Sequence, residues 1–316
     1  MGNDRGYQRF KEKASGQPLF VPLEREAIVP EDPKACLLHT AVWSDLHISA
    51  LFMKRTLAVL SCMEDLKESQ SGFDAFLICG DIGENGRYRE RQLFADALEK
   101  LPNLGRIIPA TGNHDIRLRD YRRTKKEFLA FCRQVEPAFS SEDLYYEATV
   151  NGVTFLILGS EKTVFEEAYL SARQRVWLFD RLSLTAGKGK PVFVVAHQPL
   201  KDTHGLPGAW DAPSPGGSLG EQSDDVRSIL KQFPDVFYVT GHLHRGFWIH
   251  TYEEVEGIHA VNVPSLGDYN KDSRYSSAGL GFLIEVYPDR VLFRPRDFFH
   301  GKYVPEWART YMLEST

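Results

Sequence analysis

Short apolar runs alternate along this chain with longer stretches whose apolar residues recur at i, i+3 and i+4, and the short runs keep ending in polar clusters of one kind. Leu37 to Trp43 precedes Asp45-Leu46-His47, Ala75 to Cys79 precedes Gly80-Asp81, and Arg106 to Ala110 precedes Gly112-Asn113-His114-Asp115. Further on, Pro191 to Ala196 precedes His197, and Val236 to Thr240 precedes Gly241-His242-Leu243-His244. The helix-like stretches Leu51 to Lys67 and Arg87 to Leu101 separate the first three runs. A βαβαβ order of this kind demands a parallel sheet with right-handed crossovers. Ligands of such sheets gather outside the carboxyl ends of the strands, so clusters far apart in sequence converge there. The spacings, 36 residues from Asp45 to Asp81 and 32 from Asp81 to Asn113, suit one βα unit each.

The later part changes character. Tyr145 to Val150 and Val153 to Leu158 flank Asn151-Gly152, the residue pair of a tight I′ hairpin turn. Helix-like stretches at Ser171 to Leu184 and Ser223 to Phe233 lead into the last two motif-bearing strands. Phe247 to Thr251, Ile258 to Val263, Leu280 to Val286 and Val291 to Pro295 then read as successive antiparallel strands. The economical arrangement is an α/β (α+β) fold of two packed mixed β-sheets, a β-sandwich flanked by helices. Residues 1–34, with Pro18, Pro22, Pro30 and Pro33, read as an irregular arm, 35–296 as the domain, and 297–316 as a tail whose Phe299, Tyr303, Trp307 and Tyr311 pack on it or on a neighbour. Gln198 to Gln222, rich in Pro and Gly and containing His204 and Trp210, has the length of a lid or binding loop.

Composition narrows the function classes. A 42% hydrophobic chain of 316 residues builds a full core, and a net charge of -5 provides no broad cationic surface, which disfavours a nucleic-acid partner. The cluster Arg117, Arg119, Arg122, Arg123, Lys125 and Lys126 reads as a solvated helix face. Cys36, Cys62, Cys79 and Cys132 form no Cys-x-x-Cys pair, as expected in a reducing compartment. With no apolar leader, no long apolar run and no Ser or Thr at position 6 to complete a myristoylation motif, the expectation is a cytoplasmic protein without a membrane partner. Oligomeric state is not legible.

The clusters supply imidazole nitrogen, carboxylate oxygen and amide carbonyl oxygen with no thiolate, a donor set for Mn, Fe or Zn. Taken together they suggest a two-metal site for phosphoester hydrolysis. Their order, Asp-x-His, Gly-Asp, Gly-Asn-His-Asp, His, Gly-His-x-His, resembles the calcineurin-like metallophosphoesterase superfamily over roughly residues 37 to 265. The resemblance implies a metallophosphoesterase fold with two divalent or trivalent ions: one held by Asp45, His47 and His244, the other by Asn113, His197 and His242, and Asp81 shared between them. It further implies a metal-bound hydroxide as nucleophile, His114 as charge stabiliser or proton donor to the leaving group, and Asp115 orienting His114. Asn85, Arg87 and His204 are candidate contacts to a small phosphodiester or phosphomonoester substrate. Two departures stand out. Glu84 occupies a position where relatives often carry an Asp that fixes the catalytic histidine. Gly-Asp-Ile-Gly-Glu-Asn-Gly lacks the arginine of the protein Ser/Thr phosphatase branch, and in this the chain is more similar to bacterial cyclic-nucleotide-phosphodiesterase-like members. The rival expectations are a non-catalytic interaction protein on the same fold and a nuclease.

Overall fold

The computed structural model describes residues 24–67, 69–117, 119–206, 216–271 and 277–314. In the first sheet, β1 (Leu38–Trp43), β2 (Ala75–Ile78) and β3 (Arg106–Pro109) lie side by side in parallel. On the other side of β1, β10 (Leu280–Val286) pairs antiparallel, then β11 (Arg290–Asp297), which also receives the short strands β12 (Lys302–Tyr303) and β13 (Arg309–Met312). The second sheet is built from β4 (Tyr146–Val150), β5 (Val153–Ile157), β6 (Val192–Val195), β7 (Val236–Thr240), β8 (Tyr252–Val255) and β9 (Ile258–Asn262). Its spatial order is β4-β5-β6-β7-β9-β8, and β5, β6, β7 and β9 run parallel.

Strand alternation explains how one sequence covers two cores. Successive strand side chains point to opposite faces. Thus Phe155, Ile157, Phe193, Val195, Phe237 and Val239 enter the core between the sheets, while Leu156, Val192, Val194, Val236 and Tyr238 face the other way. Phe155, Phe193 and Phe237 stack across neighbouring strands with centroids 5.2 and 5.3 Å apart, and Phe237 reaches Phe293 of the opposite sheet at 5.7 Å. Aromatic pairs at these distances add about 0.5–1.5 kcal/mol each beyond their burial.

Helices cover the outer faces. α1 (Met53–Lys67) and α2 (Tyr88–Leu98) are the crossovers of the first sheet, α3 (Asn113–Ile116) is a single turn after β3, and α4 (Tyr121–Val135) packs beside α2. α5 (Ala172–Thr185) and α6 (Ser223–Leu230) bury Leu178, Leu182, Val226 and Leu230 on the second sheet. Side-chain caps set where some helices begin. Asp120 accepts from the Arg123 amide at 2.9 Å and Ser171 from the Gln174 amide at 3.2 Å, each cap contributing about 1 kcal/mol.

Asn151 and Gly152 both have positive φ, 51° and 77°, as the expected hairpin turn requires. Elsewhere the expectations need correcting. Phe247 to Thr251 is a turn, closed by Thr251 N–H donating to the Trp248 carbonyl at 3.0 Å, and the strand starts at Tyr252. Of its apolar residues Phe247 is buried, while Trp248 and Ile249 are exposed, the Trp248 ring 5.7 Å from that of Trp307. The late strands are not one antiparallel succession. A turn with positive φ at Glu256 and Gly257 folds β9 back on β8, so that β9 runs parallel to β7, and β10 belongs to the other sheet. The basic cluster splits: Arg122, Arg123 and Lys126 are exposed on α4, whereas Arg117 lies before that helix, half-buried. Among the described residues the four cysteines are free, and no helix is long and apolar enough to cross a membrane. Trp210 and the middle of the expected lid lie outside the described residues.

Candidate metal centre

Each polar motif follows a strand terminus: Asp45 after β1, Asp81 after β2, Asn113 after β3, His197 after β6 and His242 after β7. The carboxyl ends of the parallel strands of both sheets therefore face one cleft. The chain turns sharply there, and Asp45, His47, Asp81, His242 and His244 all have φ between +47° and +72°. Asp and His tolerate the left-handed region better than most residues, yet each such position still costs of order 1–3 kcal/mol, strain that typically gathers at functional sites. Close approach explains Gly80, where a Cβ would sit 2.6 Å from His197 Nδ1 and 2.9 Å from the Gly112 nitrogen.

The donor atoms fall into groups. One ligand atom from each of Asp45, His47 and His244 lies within 4.8 Å of the others, and the same holds for Asp81, His197 and His242 and for His47, Asp81 and His114. Asp81 Oδ2 lies 3.1 Å from His197 Nε2 and 3.8 Å from His47 Nε2, between the first two groups. The far atoms are anchored. Asp45 Oδ2 accepts from Ser44 Oγ at 2.6 Å and from the His242 amide at 3.0 Å, and Asp81 Oδ1 accepts from the His114 amide at 2.8 Å. His197 Nδ1 faces the Cys79 carbonyl at 2.7 Å, and His47 Nδ1 faces Glu84 Oε2 at 2.9 Å. Fixing Nδ1 in this way leaves Nε2 to present a lone pair, the usual arrangement of a metal-binding histidine. The near atoms Asp45 Oδ1, Asn113 Oδ1 and His197 Nε2 are buried without a hydrogen-bond partner. Such groups are costly unless something compensates them, and a nitrogen-and-oxygen donor set of this kind fits divalent cations.

Electrostatics points the same way. Burial alone would raise Asp45 and Asp81, but the neighbouring imidazoles, His197 foremost, hold both carboxyls below the usual range. Burial alone would lower His47, yet its bonds to Asp45 and Glu84 lift it to about 10, and the charges of Asp81 and Asp45 lift His197 to about 9 against the same burial. His242, buried beside His197, is pushed down to about 3. Buried carboxylates thus draw positive charge into the cleft, as protons on imidazoles or as metal cations that displace those protons.

Several expected roles are rearranged. Asp115 does not touch the His114 ring: its carboxylate accepts from the backbone amides of Gly112, Gly83 and Ile82 at 3.0, 3.1 and 3.3 Å, clamping two motif loops together. His114 Nδ1 instead faces the Glu84 carbonyl oxygen at 2.8 Å, while the longer Glu84 side chain turns to His47 and to Arg55 Nη1 at 2.8 Å. Asn85 is tied to Glu90, and Arg87 is exposed at the start of α2, where its amide donates to Glu90 at 3.1 Å. His204 is buried with neither ring nitrogen bonded, and its amide donates to Glu253, so its neighbourhood is β8 rather than the donor groups. Sequence reasoning missed Arg117 and Glu166. Arg117 follows His114 by one helical turn, a usable signal; Glu166 sits in a loop without any motif.

A sandwich whose parallel strand ends bring histidines and aspartates together defines a metallohydrolase. The model of the calcineurin-like phosphoesterase family matches residues 38–246, and the chain belongs to that family, whose reaction class is metal-dependent phosphoester hydrolysis. Among solved structures it is similar to a dimetal phosphatase from Danio rerio, at 16% identity and a TM-score of 0.62 over 88% of this chain and 100% of that one. It is also similar to a purple acid phosphatase from seeds of yellow lupin, Lupinus luteus, at 13% identity and 0.60 over 86% of this chain and 53% of that one. These likenesses are of fold. No curated protein matches the chain.

Proposed function

We propose that this chain is a dinuclear phosphodiester hydrolase, with Asp45, His47 and His244 holding one cation, Asn113, His197 and His242 the other, and Asp81 shared. The observation that carries the reading is the convergence of these groups, with Asp45 Oδ1, Asn113 Oδ1 and His197 Nε2 buried without hydrogen-bond partners. Two cations bound there supply Lewis-acid polarisation of the phosphoryl oxygens and a nucleophile at neutral pH. The rest is done by side chains. His114, 15% exposed, borders the cleft with Nδ1 turned to the Glu84 carbonyl, so Nε2 faces the substrate. Burial lowers this imidazole; an anionic phosphoryl group beside Nε2 favours its protonated form, whose hydrogen passes to the departing ester oxygen.

Charge at the rim supports a diester over a monoester. Two described arginines border the cleft and both are paired: Arg55 with Glu84 at 2.8 Å and Asp268 at 2.6 Å, and Arg117 with Glu166 at 2.6 Å. A dianionic monoester would meet Glu84, Asp268 and Glu166 while, among the described residues, the Arg55 and Arg117 guanidiniums are already paired, whereas a monoanionic diester tolerates that balance. Protein reconstituted with Mn, Fe, Zn or Co should hydrolyse bis-p-nitrophenyl phosphate with a higher kcat/KM than p-nitrophenyl phosphate. The reverse order would overturn the diester assignment, and no turnover with any metal would overturn the hydrolase.

A further inference from the structure

The loop between β5 and α5 belongs to no motif, yet one of its side chains enters the cleft. Glu166 sets Oε2 2.6 Å from Asn113 Nδ2 and Oε1 2.6 Å from Arg117 Nη1. Arg117 in turn brings Nη2 to 3.1 Å from His114 Nδ1, under the Phe165 ring 4.9 Å away. The link is chemically one-sided. With N–H donors on both of its oxygens, Glu166 is an acceptor only, so it can face only the Nδ2 end of the Asn113 amide. The Oδ1 end is therefore turned away from the loop, and there it is buried without a hydrogen-bond partner. An amide has two ends of nearly equal shape and opposite polarity. Only its hydrogen bonds decide which end is presented.

We propose that Glu166, held in place by its ion pair with Arg117, is a positioning residue that orients the Asn113 amide with Oδ1 outward and thereby sets the affinity of the His197 and His242 half of the cleft for its cation. This rests on Asn113 being a ligand there. Ligand-orienting partners typically govern metal affinity by 10- to 100-fold, and a residue on a separate loop makes that affinity depend on the loop's seating.

The test is metal binding by the full chain, with Mn and Zn titrated separately by calorimetry and stoichiometry checked by elemental analysis. Glu166→Gln preserves size but can donate as well as accept, so its new NH2 can capture Oδ1. One cation should bind as in the unaltered protein and the other roughly 10- to 100-fold more weakly, with kcat largely recovered at saturating metal. The effect should largely vanish in the Asn113→Asp background. There both ends of the side chain are oxygens, so no partner is needed to turn the right one outward, and Glu166→Gln should change affinity far less than in the parent. A merely structural role weakens binding equally in both backgrounds, and that result would overturn the proposal. Unaltered loading of Glu166→Gln beside impaired loading of Asn113→Ala would overturn the positioning role and spare the ligand reading. Full loading of Asn113→Ala would overturn both.

Discussion

The two halves of the cleft are built from similar donors and supported in different ways. Around Asp45, His47 and His244 the supports are ionic and near the motifs: Glu84, three residues after Asp81, holds His47, and Arg55 ties Glu84 to Asp268. Around Asn113, His197 and His242 they are a backbone carbonyl, Cys79 on His197, and a distant carboxylate, Glu166 on Asn113. The first half takes its direct support from Glu84 beside its own motifs, with Arg55 and Asp268 behind it. The second depends on a loop from elsewhere in the chain, so the halves should differ in how readily they lose a cation. Asp81 is the common member, placed by the His114 amide and facing both.

Asp81→Asn breaks the comparison outright, since both halves lose the shared carboxylate. Diester turnover should fall on the order of 10⁴-fold, because several kcal/mol of charge stabilisation disappear at once, and elemental analysis should find fewer than two ions per chain. Two tightly bound ions in this variant would show that the halves do not share Asp81. His114→Ala comes next. This side chain is assigned to the leaving group, so turnover should fall roughly 10³-fold with both ions retained. Loss of an ion from this variant would move His114 into the donor set.

These differences mark what could be read from the chain. Where a polar motif follows an apolar run, as Asp45 follows β1 and His197 follows β6, strand and candidate ligand lie in the same few residues, and fold and candidate site can be read together. Asn151-Gly152 is legible for a similar local reason, since few other pairs accept positive φ twice. Long-range choices are not encoded locally. Phe247 to Thr251 has strand-like composition, but it forms a turn whose Trp248 ring lies 5.7 Å from Trp307, some sixty residues later. Glu84 could be seen as a departure from the family pattern, but its outcome, carbonyl to His114 and carboxylate to His47, depends on where Arg55 lies. Adjacency to His114 suggests Asp115 as its partner, whereas the Asp115 carboxylate is buried against three backbone amides, contacts that no local pattern announces.

The strand end that carries His197 continues into the segment that holds His204, whose burial makes stability depend on acid. His204 is fully buried, which pushes its imidazole down to about 4, whereas in the unfolded chain it titrates near 6.5. A depressed folded pKa means that the unfolded state binds the proton first. The stability is fully present above pH 6.5 and is lost as pH falls toward 4, by about 3 kcal/mol at the lower limit. His204→Asn, suited to the positive φ of 58° there, should show a shallower decline in urea midpoint between pH 6.5 and 4 than the parent protein. Parallel declines would mean that the imidazole is not buried in solution.

The smallest effect is expected from the ionic support of the first half. In Glu84→Gln the amide can still accept from His47 Nδ1, so the tautomer that presents Nε2 survives, but the carboxylate charge that strengthens this imidazole as a ligand is gone, and Arg55 retains only Asp268. Loss of such a partner typically weakens metal affinity by 10- to 100-fold, and the lower end applies because the hydrogen bond is kept. The weakened cation should be the one held by Asp45, His47 and His244. Adding Glu166→Gln should then weaken the other cation independently, giving nearly additive free energies, since the two supports share no side chain. A strongly non-additive double variant would mean that the halves communicate, and the most direct physical route for that is Asp81, whose carboxylate must rotate toward whichever cation remains.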